Sequence, residues 1–281
     1  MSRTAYSAEK RAAYREQKRS EQREQVERAV RELLTSDGWR RWAETRATFH
    51  RYSFGNCLLI AQQAPQATQV AGFKAWQSLG RQVRKGERAI RIMAPMSVKE
   101  RDATGDETGE RVVFFRAVPV FDIAQTDGEP LPQAPREPIT GDSHARYIEP
   151  LTAHAASLGY TVESEQLDHA RGYCDSKRHR IVIAADVGAA NARVRVLVHE
   201  LAHAHGVNYR DYSREQAEVI VETAAVIVCG SLGLDTTGES IPYIAEWGEN
   251  GDLDAIRQHA ETVDTIARSI EQACSLNGGE S

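Results

Sequence analysis

The sequence predicts an α+β protein of two domains. Three observations lead there: helical and strand-like stretches alternate within each half, a Pro/Gly-rich segment separates the halves, and the two sides of it carry opposite charge. Of the 281 residues, 1–121 hold 23 Lys/Arg against 14 Asp/Glu, a net of +9, whereas 122–281 hold 12 against 26, a net of -14. Between Asp122 and Asp142 the chain turns to Gly128, Pro130, Pro132, Pro135, Pro138 and Gly141 with few large apolar residues, the composition of an extended linker. The expected division is therefore a front domain over 1–121, a linker over 122–142 and a rear domain over 143–281. A hydrophobic content of 41% supplies a core for each.

In the front half, residues 5–34 are rich in Glu, Arg, Gln and Ala and predict a long helix whose apolar stripe is thin until Val26, Ala29, Val30, Leu33 and Leu34. Asp37-Gly38 is read as its break. A second helical stretch runs through Trp39, Trp42, Ala43, Phe49 and Tyr52, a third from Cys57 to Gln63, and a short one over Gly72–Gly80. Arg81–Val83 and Ala89–Met93 read as strands paired around Lys85-Gly86, and Val112–Val120 as a further strand beyond a polar hairpin loop.

A basic front joined to an acidic rear implies that only the front meets a polyanion. Single-stranded nucleic acid is held by aromatic faces that stack on bases and cations that follow the backbone, and this half interleaves the two. The candidates are Arg51, Tyr52, Phe73, Lys74, Trp76, Arg81, Arg84, Lys85 and Arg88. Each has a plainer alternative: the tryptophans as core, the Arg84-Lys85-x-x-Arg88 run as a solubilised hairpin.

The rear half opens with two short strands, Gly172–Asp175 and Arg180–Ile183, joined by a Ser176-Lys177-Arg178 turn. Were the second an edge strand, an extended peptide could pair with it. An apolar helix follows, with Asn191 as the expected N-cap and Gly206 as its stop, and it carries His199-Glu200-Leu201-Ala202-His203. In H-E-x-x-H the two imidazoles lie one turn apart on one helix face, so they can share a metal ion. Glu200 then flanks the open position, where it can take a proton from a water that zinc acidifies toward a pKa of roughly 7. His205 points off that face and reads as a helix-end residue.

Ser213-x-x-Gln216 is a capping box that opens a helix over Arg214–Cys229 with Gly230 as its stop, apolar nearly all round. Two carboxylates inside it, Glu218 and Glu222, need compensation. Glu218 is the expected third metal ligand, and Glu222 the acid that orients a histidine through its second ring nitrogen; the reverse assignment stays open. Tyr209 and Tyr212 are candidates for stabilising a developing oxyanion, or simply for packing.

Cysteines 57, 174, 229 and 274 form no C-x-x-C pair, which argues against a disulfide framework or a thiolate zinc site and for a reducing cytoplasm. No apolar run is long enough for a membrane span, so no membrane partner is expected.

With both halves read, the chain resembles the ArdC-type antirestriction proteins of conjugative plasmids and related mobile elements. The front-half likeness lies in Ser53-Phe54-Gly55-Asn56-Cys57-Leu58-Leu59-Ile60, Gly72-Phe73-x-x-Trp76 and Gly80-Arg81-x-Val83-x-Lys85-Gly86-Glu87. That of the rear half lies in His199–His203, Glu218-Val219-Ile220-Val221-Glu222 and Tyr243-Ile244-Ala245-x-Trp247, with a looser similarity to ImmA/IrrE-type peptidases. The resemblance implies a single-stranded-DNA-binding front domain and a zincin-like metallopeptidase rear domain, with Zn2+ held by the two histidines and a downstream glutamate. It also implies protection of DNA entering during conjugation. Two rivals accompany that expectation: a DNA-stimulated or regulatory peptidase that cleaves a repressor or DNA-bound protein, and a DNA-binding protein whose metal site is structural only.

Overall fold

The computed structural model describes residues 17, 24, 27–49, 51–101, 107–131, 139–168, 170–235 and 253–276. Most of the N-terminal helix expectation, the tip of the hairpin loop, residues 132–138 of the linker and the Tyr243–Trp247 motif lie outside them. The architecture is mixed α and β, as expected, and the chain forms two compact units: residues 1–31 with 55–131, and residues 32–54 with 132–281.

That division differs from the expected border. Residues 32–54 belong to the rear unit because their helix, α1 (Ser36–Thr48), packs against the helix Arg214–Ser231 of that unit. Trp39, Trp42 and Ala43 are fully buried, and Trp39 Nε1 donates 2.9 Å to Thr223 Oγ1 of the rear unit. Asp37-Gly38 is no break. Thr35 caps α1 by accepting from Gly38 N, so both residues lie in the first turn, where an acid suits the positive helix end.

In the front unit, α2 (Phe54–Gln63) buries Cys57, Leu58, Leu59 and Ile60, and strand β1 (Val70–Ala71) leads to α3 (Phe73–Ser78). Strand β2 (Gln82–Val83) pairs with β5 (Thr126–Asp127), not with the Ala89–Met93 region as the spacing suggested. A partner from beyond the turn was invisible because strand pairing leaves no mark in local sequence. The long hairpin β3 (Ile90–Arg101) and β4 (Glu107–Asp122) completes a three-stranded sheet in the order β1-β4-β3.

β3 is an edge, and its free backbone groups are met by α2. Asn56 exchanges two hydrogen bonds of 2.8 Å with the Met93 backbone, and Gln63 does the same with Arg91 at 2.9 Å. Seven residues, about two turns, separate the two amides, so both face the strand. Asp122 closes the unit by accepting from the Thr68, Gln69 and Ala124 backbone N–H groups. The first part of the anticipated linker is thus folded into the front unit.

In the rear unit, α4 (Ile148–Ser157) precedes strands β6 (Thr161–Glu165), β7 (Gly172–Asp175) and β8 (Arg180–Ala184). Their order is β6-β8-β7, with β6 parallel and β7 antiparallel to β8. β8 is therefore central, buried from Ile181 to Ala184, and β6 and β7 are the edges. The idea of peptide pairing on the second strand falls, since both of its sides are already taken.

Three helices complete the unit: α5 (Ala190–Ala204), α6 (Arg214–Ser231) and α7 (Leu253–Leu276). Asn191 is not the N-cap of α5. That position is Ala189, and Asn191 is wholly buried, tying α5 to His144 N and Ser143 Oγ while Asp142 accepts from Ala190 N. Gly206 does stop α5, at φ 94°, and the Ser213–Gln216 capping box opens α6 as expected. α6 runs through Gly230, and the left-handed residue is Gly233. α7 was not read from sequence, yet its buried Ile256, Ala260, Val263, Ala267, Ile270 and Cys274 form a seam at steps of three and four against α6.

A buried charge network fastens α1 to α7. The Arg46 guanidinium, with no exposed surface, donates to Asp264 and Glu271, and Arg268 bridges Asp264 to the Tyr52 carbonyl. Burial opposes the Arg46 charge, but the two carboxylates outweigh that effect and hold it protonated. All four cysteines are free.

Candidate metal centre

α5 and α6 pack side by side, and that contact builds the site. His199 and His203 stand one turn apart on α5, with ring centroids 5.3 Å apart, and Glu218 faces them from the second turn of α6. Glu218 Oε2 lies 3.8 Å from His199 Nε2, and Oε1 lies 3.7 Å from His203 Nε2. Those separations are too long for hydrogen bonds. They approach the spacing of about 3.4 Å between ligand atoms that each sit about 2.1 Å from one tetrahedral ion. Among the described residues this is the one cluster of three such groups, with its ligand atoms within 4.8 Å of one another.

The outer ring nitrogens are engaged, which fixes what the inner ones offer. His199 Nδ1 is 3.0 Å from Glu222 Oε2, and His203 Nδ1 is 3.2 Å from the Val207 carbonyl. Since both partners are acceptors, each Nδ1 carries the proton and each Nε2 turns a lone pair inward. Two inward lone pairs and a carboxylate are the donor set of a divalent cation, so the residues fit a metal. Glu222 thus lies against the outer nitrogen of His199, and Glu218 against the inner nitrogens of both rings.

Arg195, one turn before His199 on α5, also donates to Glu222. Burial works to raise the Glu222 pKa, but the bond to His199 and the Arg195 charge bring it below the ordinary carboxylate range. Sequence reading passed over Arg195. The signal was a lone cation among Val194, Val196, Leu197 and Val198.

Glu200 is 6% exposed, and its carboxyl is pushed up to about 7, chiefly by burial, against the pull of His199. Such a group exchanges protons near neutrality, as a general base must. It lies beneath β7. A Cβ placed on Gly172 would stand 3.2 Å from Glu200 Oε1, 2.6 Å from Val196 Cγ1 and 2.9 Å from the Val182 carbonyl, so the strand can approach only because residue 172 has no side chain. Behind it, burial and the Glu200 charge push the Cys174 thiol up to about 12, leaving a neutral packing residue.

Tyr209 belongs to the site and Tyr212 does not join it. The Tyr209 hydroxyl donates 2.7 Å to Glu218 Oε1, and its ring stands edge-on to His203 at 6.1 Å. The Tyr212 ring lies tilted beside His259 instead, 5.6 Å between centroids. His205 caps the end of α5 and meets His154 instead of the ligands.

The anticipated DNA-contacting residues divide. Arg51 is exposed and Tyr52 half-buried against Phe49, and both cluster with the rear unit. Trp76 is 2% exposed, with Nε1 bonded to the Phe121 carbonyl, so neither ring face is open to a base. Arg81 is buried, its guanidinium spent on Thr126 and the Gly128 and Glu129 carbonyls. Arg84 is held by Glu87 and Asp127. Phe73, Lys74, Lys85 and Arg88 are exposed.

Residues 20–121 match the N-terminal domain of the anti-restriction factor ArdC. The metal-free crystal structure of the antirestriction ArdC protein from plasmid R388 shares the fold, with a TM-score of 0.50, 21% identity, and coverage of 79% of this chain and 85% of that one. An uncharacterized Bacillus anthracis protein, pXO2-81, is 29% identical over 83% of this chain and 48% of its own length. The uncharacterized protein y4eC of Sinorhizobium fredii is 29% identical over 71% of this chain and 67% of its own. The chain thus spans about half the length of the first relative. Among the described residues no helix is long and apolar enough to cross a membrane.

Proposed function

We propose, from the match of residues 20–121 to the N-terminal domain of ArdC, a two-part protein: a front unit that binds single-stranded DNA and a rear unit that hydrolyses peptide bonds with a zinc ion. The observation that carries the second part is the convergence of His199, His203 and Glu218 beside a buried Glu200.

His199 and His203 would hold the ion through Nε2 and Glu218 through a carboxylate oxygen. Two imidazoles and one carboxylate, with no thiolate, are a donor set zinc uses in hydrolases. When bound, the ion supplies Lewis acidity toward a peptide carbonyl and toward water. Glu200, largely buried beside the two histidines, takes the proton of the attacking water and returns it to the leaving amine. Glu222 and Arg195 keep the His199 ring in register. Tyr209 has one O–H, which it gives to Glu218 Oε1, and would have to release that bond to serve a developing oxyanion.

The biological role that joins the two parts is protection of entering single-stranded DNA. Glu200→Gln tests the enzyme half. The variant is expected to retain its ion in elemental analysis and to lose cleavage of a denatured-protein panel, with and without single-stranded DNA, by about 10²–10⁴-fold. Equal cleavage by the variant and the parent would remove Glu200 from the reaction. Stoichiometric metal with no cleavage by either would favour a structural ion.

A further inference from the structure

An open concavity of about 970 Å³ lies wholly within the front unit, at the top of the range of about 300–1,000 Å³ typical of ligand pockets. Three arginines reach its wall from separate stretches: Arg28 from the helical residues 27–32, Arg88 from the turn before β3, and Arg91 from β3. Their guanidiniums differ from those of Arg81 and Arg84. Among the described residues, no hydrogen bond or ion pair occupies Arg28, Arg88 or Arg91 side chains, whereas Arg81 and Arg84 are committed to carbonyls and carboxylates.

Asp122 is the acid on that wall, and its oxygens already accept from the Thr68, Gln69 and Ala124 N–H groups. Three cations against one engaged carboxylate leave the concavity positive. The backbone beneath two of the cations is clamped: Gln63 brackets Arg91, and Gln125 Nε2 donates 2.9 Å to the Arg88 carbonyl. Cations with no internal partner, on a fixed backbone around a roomy hollow, match a ligand that brings several negative charges in a row. Gln62 and Gln66 add amide groups to the same wall, which suits base edges left unpaired by the absence of a second strand.

We propose that this concavity carries the phosphodiester backbone of single-stranded DNA, with Arg28, Arg88 and Arg91 as its phosphate contacts. The assignment rests on the reading of the front unit as a DNA-binding module and moves its contact surface away from Trp76, Arg81 and Arg84. A neutralised phosphate releases counterions, so each contact appears in the salt dependence of binding.

The test uses the full chain and a labelled oligothymidine, titrated over a range of salt. Arg88→Gln with Arg91→Gln is expected to weaken binding by about tenfold or more and to reduce the slope of log K against log salt by about 1.4, two contacts at about 0.7 each. Arg84→Gln is expected to leave both quantities near the parent values. A labelled nucleoside triphosphate serves as the second arm. Parent-like oligonucleotide binding by the double variant, with Arg84→Gln impaired instead, would overturn the site and leave the DNA-binding reading standing. No oligonucleotide binding by the parent would overturn both. Triphosphate binding that depends on Arg88 and Arg91, without oligonucleotide binding, would replace the strand by a free nucleotide.

Discussion

Glu222 Oε2 lies 3.0 Å from His199 Nδ1, so an acid on one helix sets the tautomer of an imidazole on the next. Arg195 completes a chain in which a cation holds the acid, the acid holds the ring, and the ring turns its free nitrogen to Glu218 and His203. The chain predicts that metal affinity depends on residues that touch no metal. Glu222→Gln keeps the shape but loses the charge and is expected to weaken zinc binding by about 10–100-fold, measured by chelator competition. Arg195→Met should shift affinity in the same direction by a smaller factor. Unchanged affinity in both would remove Glu222 and Arg195 from metal binding.

Gly172→Ala tests the fit of β7 over Glu200. Its Cβ would meet Val196 Cγ1 at 2.6 Å and the Val182 carbonyl at 2.9 Å, and neither can yield without moving a helix or the central strand. A destabilisation of about 1–3 kcal/mol in chemical unfolding is expected. Alanine at Gly188, where a Cβ meets nothing within 4 Å, is the neutral comparison.

Arg46 is a stability residue of the rear unit. Removing it by Arg46→Met strands Asp264 and Glu271 in a largely buried setting, with an expected cost of about 3–5 kcal/mol. Adding Asp264→Asn and Glu271→Gln to that variant should recover part of the loss. Thermal denaturation of the single and triple variants measures both steps.

The His154–His205 pair gives a pH prediction. Their Nε2 atoms face each other at 3.0 Å, a distance that one shared proton satisfies and two oppose. Burial, reinforced by His154, lowers the His205 pKa to about 4. An unfolded histidine takes up a proton near pH 6.5, so between about 6.5 and 4 the unfolded chain binds more protons than the folded one. Stability from this pair is full above pH 6.5 and falls as the pH drops through that window, by about 1–3 kcal/mol after allowance for partial exposure. His205→Gln should flatten the decline in urea unfolding measured between pH 7 and pH 5. Parallel declines in parent and variant would refute the assignment.

Much of the site was legible because its information is local. Spacing of four along a helix puts His199 and His203 on one face, and the Ser213–Gln216 capping box starts the helix that bears Glu218 and Glu222 wherever it packs. The order of those two carboxylates was less certain from sequence, since both lie on one face of α6. In the fold, Glu218 faces the Nε2 atoms and Glu222 an Nδ1.

Elsewhere, local reading misled for a common reason. Trp76 and Arg81 look like DNA-contacting residues by type, yet the Phe121 carbonyl and the Thr126–Glu129 stretch, over 40 residues later, take them into the core. Trp39 and Arg46 sit in a basic front sequence but find Thr223 and Asp264, roughly two hundred residues on.

By itself, the sequence determined the helix face that carries His199 and His203, the Ser213–Gln216 capping box, the donor types of the candidate metal centre and the separation of basic from acidic halves, because propensity, capping and charge act over a few residues. Tertiary structure alone decided which unit claims residues 32–54, which strand is central in the rear sheet, which histidine nitrogens each carboxylate meets and which arginines, among the described residues, are left without partners. Those outcomes depend on what each side chain meets across the fold, where a buried polar group must find a partner or destabilise the chain.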